Sequence, residues 1–150
     1  MINSDQIYNA VQVEDNILTA GLLNEDQLST LGEGGIQVVI NLLPDWHDYA
    51  VKQEAEIVTG QGIEYHYIPV EFDAPKPEEY QAFEQAMLAS KGKQMVVHCA
   101  ANYRVSAFYA IYAFKHLGWS REQGDQHIAN IVGDIGEYPA WQTFIEELRQ

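Results

Sequence analysis

A chain of 150 residues that is 47% hydrophobic, with 9 tyrosines, 5 phenylalanines and 3 tryptophans, suits one domain (1–150) with its own core. Its 22 acidic against 8 basic residues give a formal charge of −14, which argues against nucleic acid and anionic membrane as partners, because both need a basic footprint. One cysteine, Cys99, excludes an intrachain disulfide framework, a cysteine-rich zinc site and a CxxC redox pair.

The elements alternate along the chain. Residues 9–13 and 17–21 read as two short strands joined by a turn at Glu14-Asp15-Asn16. Asn24 caps a short helix, with Gln27 in the capping-box position and Leu28 and Leu31 facing inward, and Gly34-Gly35 ends it. Residues 37–43 (QVVINLL) form a β-branched buried strand. A helix is predicted over 48–59, stopped by Gly60 and Gly62, and an alternating strand over 63–70. Pro77 opens a helix to Ser90 with Tyr80, Phe83 and Met87 on its inner face. Residues 94–98 (QMVVH) are another buried strand, and 104–117 a central helix closed by Gly118. Ser120 and Gln123 box a helix reaching Val132, residues 133–138 read as a flexible turn, and Pro139 opens a last helix with Trp141, Phe144, Ile145 and Leu148 inward. This order predicts an α/β fold whose central, mostly parallel sheet is flanked by helices, with ligands at the carboxyl ends of its strands.

The strand 94–98 therefore delivers His98-Cys99-Ala100-Ala101-Asn102-Tyr103-Arg104-Val105-Ser106 into the expected site. A loop between a buried strand and a helix N-terminus turns successive amides toward one point, an anion cradle strengthened by the helix dipole. Ala100 and Ala101 allow close approach, no proline removes a donor from residues 100–105, and Asn102 tolerates φ > 0. The same field favours a Cys99 thiolate. Arg104 supplies a fork for two oxygens of a phosphate-like group, and Ser106 is placed to hydrogen-bond the sulfur.

At these residues the chain resembles the cysteine-based protein tyrosine phosphatase superfamily, and within it the small dual-specificity-like members with a His-Cys-x5-Arg-Ser/Thr signature. Residues 16–43 look like the opening strand, helix and strand of that phosphotyrosine protein phosphatase-like fold, and 65–73 (YHYIPVEFD) like the strand entering its general-acid loop. The resemblance implies Cys99 as nucleophile, His98 positioning the loop, Ala100 to Arg104 binding phosphate, Ser106 easing departure of the sulfur, and Asp73 protonating the leaving oxygen. It implies no metal or other cofactor, and a phosphorylated small molecule or phosphoprotein as substrate. Only four residues separate Cys99 from Arg104, where the superfamily has five. That spacing is similar to the bacterial β-lactamase-hydrolase-like phosphatase-like family, whose loops read Cys-x4-Arg. It removes one amide donor and about 3.5 Å of chain.

Other readings stay open at this point. A six-residue loop beginning with cysteine also suits a rhodanese-like sulfurtransferase carrying a Cys99 persulfide, and the fold can serve as a non-catalytic anion-binding module. Glu71 rivals Asp73 as general acid; alternation puts both on one side, with Phe72 facing the other. Trp46-His47-Asp48 either lines the substrate mouth or caps a helix. Tyr103 stacks on an aromatic substrate or packs. His47, His66, His116 and His127 lack metal-ligand spacing. No apolar run approaches the roughly 20 residues of a membrane span, and Met1 to Asp5 has no export signal, so a cytoplasmic location is expected. Oligomeric state has no signature.

Overall fold

The computed structural model describes residues 4–150; Met1 to Asn3, part of the stretch read for an export signal, lie outside the described residues. The described chain holds five strands, β1 (Val11–Glu14), β2 (Ile17–Ala20), β3 (Val38–Asn41), β4 (Glu64–Tyr67) and β5 (Met95–His98). Six α-helices accompany them: α1 (Glu25–Ser29), α2 (Glu54–Thr59), α3 (Pro77–Ala89), α4 (Tyr103–His116), α5 (Arg121–Val132) and α6 (Pro139–Leu148).

The strands form one sheet in the order β1-β2-β5-β3-β4. Only the edge strand β1 runs antiparallel to its neighbour. In the parallel part, His98 is level with Ala20 on one side and Asn41 on the other, and Asn41 with Tyr67. The carboxyl ends of four strands are thus flush, with β5 at the centre.

Side-chain alternation splits the core into two layers. Met95, Val97 and Cys99 join Val38, Ile40 and Leu42 on the face covered by α3, α4 and α6. Val96, Leu18, Val39 and Ala20 face the opposite layer with Leu28, Leu31 and Val58 from the α1 and α2 region. Helix α4 is buried without a break from Arg104 to Ala113, so it is the hub of the larger layer.

The capping boxes form as expected, with both reciprocal bonds at Asn24/Gln27 and at Ser120/Gln123. Three expectations need correction. The helix placed over 48–59 begins only at Glu54, because residues 45–52 fold into turns held by Lys52, whose ammonium donates to the carbonyls of Asp45 (2.8 Å) and His47 (3.1 Å). The strand placed over 63–70 stops at Tyr67. The chain still follows β3 through Ile68 and Val70, which donate to Asn41 and Leu42, but the donors advance two residues while the acceptors advance one, so the regular register is lost. Residues 133–138 are more than a turn: Ile135–Glu137 is a 3-10 helix whose first turn is capped by Asp134.

Candidate active site

Strand β5 ends at His98, and the chain turns through Cys99, Ala100, Ala101 and Asn102 into α4. Asn102 adopts φ 70°, ψ 7°, the left-handed conformation its residue type allows. Its side-chain amide locks the turn by donating to Asn9 O (2.8 Å) and Thr19 Oγ1 (3.2 Å). The loop carbonyls are drawn outward: Ala100 O accepts from Leu22 N at 2.9 Å, and Ala101 O from the Asn9 side chain at 3.0 Å. The amides of Tyr103, Arg104 and Val105, in the first turn of α4, have no intrahelical acceptor and remain to serve an anion. Gly21 permits the close packing of β2 on this loop, since a Cβ there would lie 2.8 Å from Ala100 O.

Arg104 is only 4% exposed, and its Nε donates to Val70 O at 2.8 Å. Its guanidinium lies over the Phe72 ring, 5.3 Å from the centroid. Among the described residues it forms no salt bridge, in a chain with 22 carboxylates. A buried cation without a counter-charge is costly unless an anion completes it. The guanidinium opens instead on a cavity of about 270 Å³ lined by Ala100, Ala101, Tyr103, Phe72, His47, Tyr49 and Tyr138. Loop, anion-seeking arginine and aromatic walls converge there. Cys99, the residue before Ala100, is fully buried and does not itself line the cavity.

His98 and Cys99, adjacent in sequence, point to opposite faces of the sheet. His98 therefore meets α2, where its Nε2 is 2.5 Å from Glu54 Oε2, and its Nδ1 turns back to Cys99 O at 3.2 Å. Both partners are buried, His98 wholly and Glu54 at 4% exposure. Burial opposes charging the imidazole, but the Glu54 carboxylate outweighs it and holds His98 above the ordinary histidine value. Ser106 sits one turn into α4 and gives its hydroxyl to Tyr103 O at 3.0 Å, not to the sulfur. Inside a helix, a serine hydroxyl has a nearby backbone carbonyl as its readiest acceptor.

Beyond Val70 the chain turns sharply at Glu71 to Ala74. Phe72 faces into the site, with its carbonyl held by Trp141 Nε1 at 2.7 Å. It is therefore Phe72 that lines the cavity, whereas Glu71 and Asp73 do not. Glu71 accepts from Trp46 Nε1 at 3.0 Å, and Asp73 is exposed. Phe72 does face differently from both carboxylates, as expected, but it is Phe72 and not the candidate acids that meets the cavity. Of Trp46-His47-Asp48, only His47 lines the cavity, stacked on Tyr49 at 5.4 Å, and no helix begins at Asp48. Tyr103 packs on Phe72 and Tyr138. Sequence reasoning missed Glu54, Phe72 and Tyr138. Glu54 looked like one more charge of an acidic helix, and Tyr138 lay in a segment with no periodic signal.

A flush parallel sheet that ends in a cysteine, an amide-rich loop and a buried arginine defines the class of cysteine-based phosphatase folds. A crystal structure described as "Putative phosphatase (DUF442)" from Shewanella putrefaciens CN-32 is 39% identical in sequence, superimposes with a TM-score of 0.84, and covers 96% of this chain and 90% of its own. The chain belongs to this DUF442 family. Tk-PTP in its active form shares the fold at a TM-score of 0.78 and 16% identity, over 94% of this chain and 96% of its own. Among curated proteins, a β-lactamase hydrolase-like protein of Xylella fastidiosa is 26% identical over 104 residues, 67% of this chain. The match spans only 24% of that relative's length. No protein-family model matches the chain. No helix among the described residues is long and apolar enough to cross a membrane.

Proposed function

We propose that the protein is a cysteine-dependent phosphatase of the tyrosine or dual-specificity type, hydrolysing a phosphate monoester carried by a small molecule or a protein. The observation that carries this reading is Arg104, buried and without a carboxylate partner, beside a loop whose carbonyls point away from the cavity. The loop amides and the guanidinium hold the phosphoryl oxygens. Cys99 Sγ forms a bond to phosphorus as the bond to the leaving oxygen breaks, and Asp73 gives that oxygen a proton. Water then attacks the thiophosphoryl group, its proton returning to Asp73, and phosphate and thiolate are released. The aromatic walls formed by Phe72, Tyr103, Tyr138 and the His47–Tyr49 stack fit an aryl group behind the phosphate.

A second reading is favoured by one observation: neither Asp73 nor Glu71 lines the cavity. Sulfur transfer through a Cys99 persulfide needs no general acid. Hydrolysis of p-nitrophenyl phosphate and thiosulfate–cyanide sulfur transfer, assayed on one preparation with Cys99→Ser as control, decide between them. Slow ester hydrolysis that Cys99→Ser abolishes supports the phosphatase. Brisk Cys99-dependent sulfur transfer with no ester cleavage supports the alternative, and neither activity leaves an anion-binding module.

A further inference from the structure

Resting on the reading of Cys99 as a nucleophile, we propose that Glu54 is a positioning residue that keeps His98 doubly protonated behind the cysteine. It thereby fixes the Cys99 carbonyl and favours the Cys99 thiolate. The geometry fixes one proton on His98, and the charge of Glu54 decides the second. Its two ring nitrogens both face oxygens, Nε2 the Glu54 carboxyl at 2.5 Å and Nδ1 the Cys99 carbonyl at 3.2 Å. A carbonyl oxygen cannot donate, so Nδ1 must carry a proton. A buried carboxylate left ionised calls for a proton on Nε2 as well.

The surroundings hold Glu54 in place. It is the first residue of α2, where the helix dipole favours a negative charge. Beside it lies the Tyr65 hydroxyl, which accepts from Asn41 Nδ2 at 3.0 Å. Burial first, and then the Glu54 carboxylate, push the Tyr65 hydroxyl well above the usual tyrosine range, so that it stays neutral. The charged or titratable groups facing the pair among the described residues are Glu54 from α2 and Tyr65 and Tyr67 from β4, with Asp45 and Lys52 from the preceding turns lining the same cleft as Glu54, while Arg104 belongs to α4 on the Cys99 side of the sheet. The ion pair is oriented with its positive end toward the nucleophile's own peptide unit. A short loop with fewer amide donors leaves more of the thiolate's stabilisation to such a charge.

Glu54→Gln is the informative variant. Its amide can donate to a neutral Nε2 while Nδ1–H still holds Cys99 O, so the loop anchor survives and only the charge is lost. Cys99 reactivity is read from iodoacetamide alkylation rate against pH, and the His98 protonation state from nitrogen-15 imidazole shifts, both without substrate. We expect wild-type His98 to carry two ring protons at pH 7 and the variant one. The midpoint of the alkylation-rate profile should move up by about one pH unit, slowing alkylation by up to about tenfold at pH values below both midpoints. Wild-type His98 with a single ring proton overturns the proposal, and this measurement stands even if Glu54→Gln does not fold. An unchanged thiol titration in a folded variant also overturns it. If both shifts appear while no phosphate ester is cleaved, the positioning role holds and the phosphatase reading fails.

Discussion

Arg104 Nε donates to the carbonyl oxygen of Val70 at 2.8 Å, tying the first turn of α4 to the segment that leads into the Glu71–Ala74 turn. One bond fixes the plane of the guanidinium and, among the described residues, leaves its two terminal nitrogens without a hydrogen-bond partner. Arg104→Lys keeps the charge and loses both the Nε bond and the bidentate fork. Hydrolysis of p-nitrophenyl phosphate is expected to fall by about 10²–10³-fold, with little change in thermal midpoint. A lysine variant of near wild-type kcat/KM would remove Arg104 from the mechanism.

Two carboxylates flank Phe72, and their roles separate by leaving group. Asp73→Asn is expected to cost about 10²–10⁴-fold on an alkyl phosphate, and much less on p-nitrophenyl phosphate, whose leaving oxygen needs little protonation. Glu71→Gln can keep its bond with Trp46 Nε1 and is expected to affect both substrates equally and weakly. Steady-state rates on the two esters check this. The reverse pattern would assign the acid to Glu71.

The loop's shape depends on a left-handed residue and a close glycine. Asn102→Gly keeps φ 70° without strain but loses the bonds to Asn9 and Thr19. Asn102→Ala loses the same bonds and adds roughly 1–2 kcal/mol of left-handed strain. Thermal unfolding should rank wild type above the glycine variant and the glycine variant above the alanine variant. Gly21→Ala forces Ala100 O to move from a 2.8 Å clash, so vanadate affinity should drop sharply. Unaltered vanadate binding would show that the loop does not cradle the anion.

Two histidines bend the stability profile in opposite directions. Glu54 raises His98 in the folded state against the opposing effect of burial, so its stabilisation is full below the ordinary value near 6.5 and is lost as pH rises through the raised folded value. Burial lowers His127, which sits against Tyr109 and Trp119 at ring distances of 6.0 and 5.5 Å. Its contribution is present above 6.5 and lost as pH falls through the lowered folded value. Melting temperatures from pH 5 to 9 check both. Relative to wild type, His127→Phe should lose less stability on acidification, and Glu54→Gln less on alkalinisation.

The chain by itself determined the α/β alternation, the capping boxes, the strand that presents Cys99 and the arginine behind it. Those features are local: a period of two or 3.6, a box closed within four residues, a loop that is continuous in sequence. Tertiary structure alone decided what meets that loop. Alternation at the end of β5 sends His98 through the sheet to Glu54, 44 residues away, a pairing that depends on where α2 packs. The regular ladder of β4 ends at Tyr67, and the turn from Glu71 to Ala74 brings Phe72, not the carboxylates, to the cavity. Tyr138 reaches the mouth only because α6 docks on α4 and carries the preceding 3-10 turn with it. The candidate nucleophile, Cys99, was legible because its neighbours are its sequence neighbours. The rest of the site was hidden because its contacts join residues brought together only when the two layers close on the sheet.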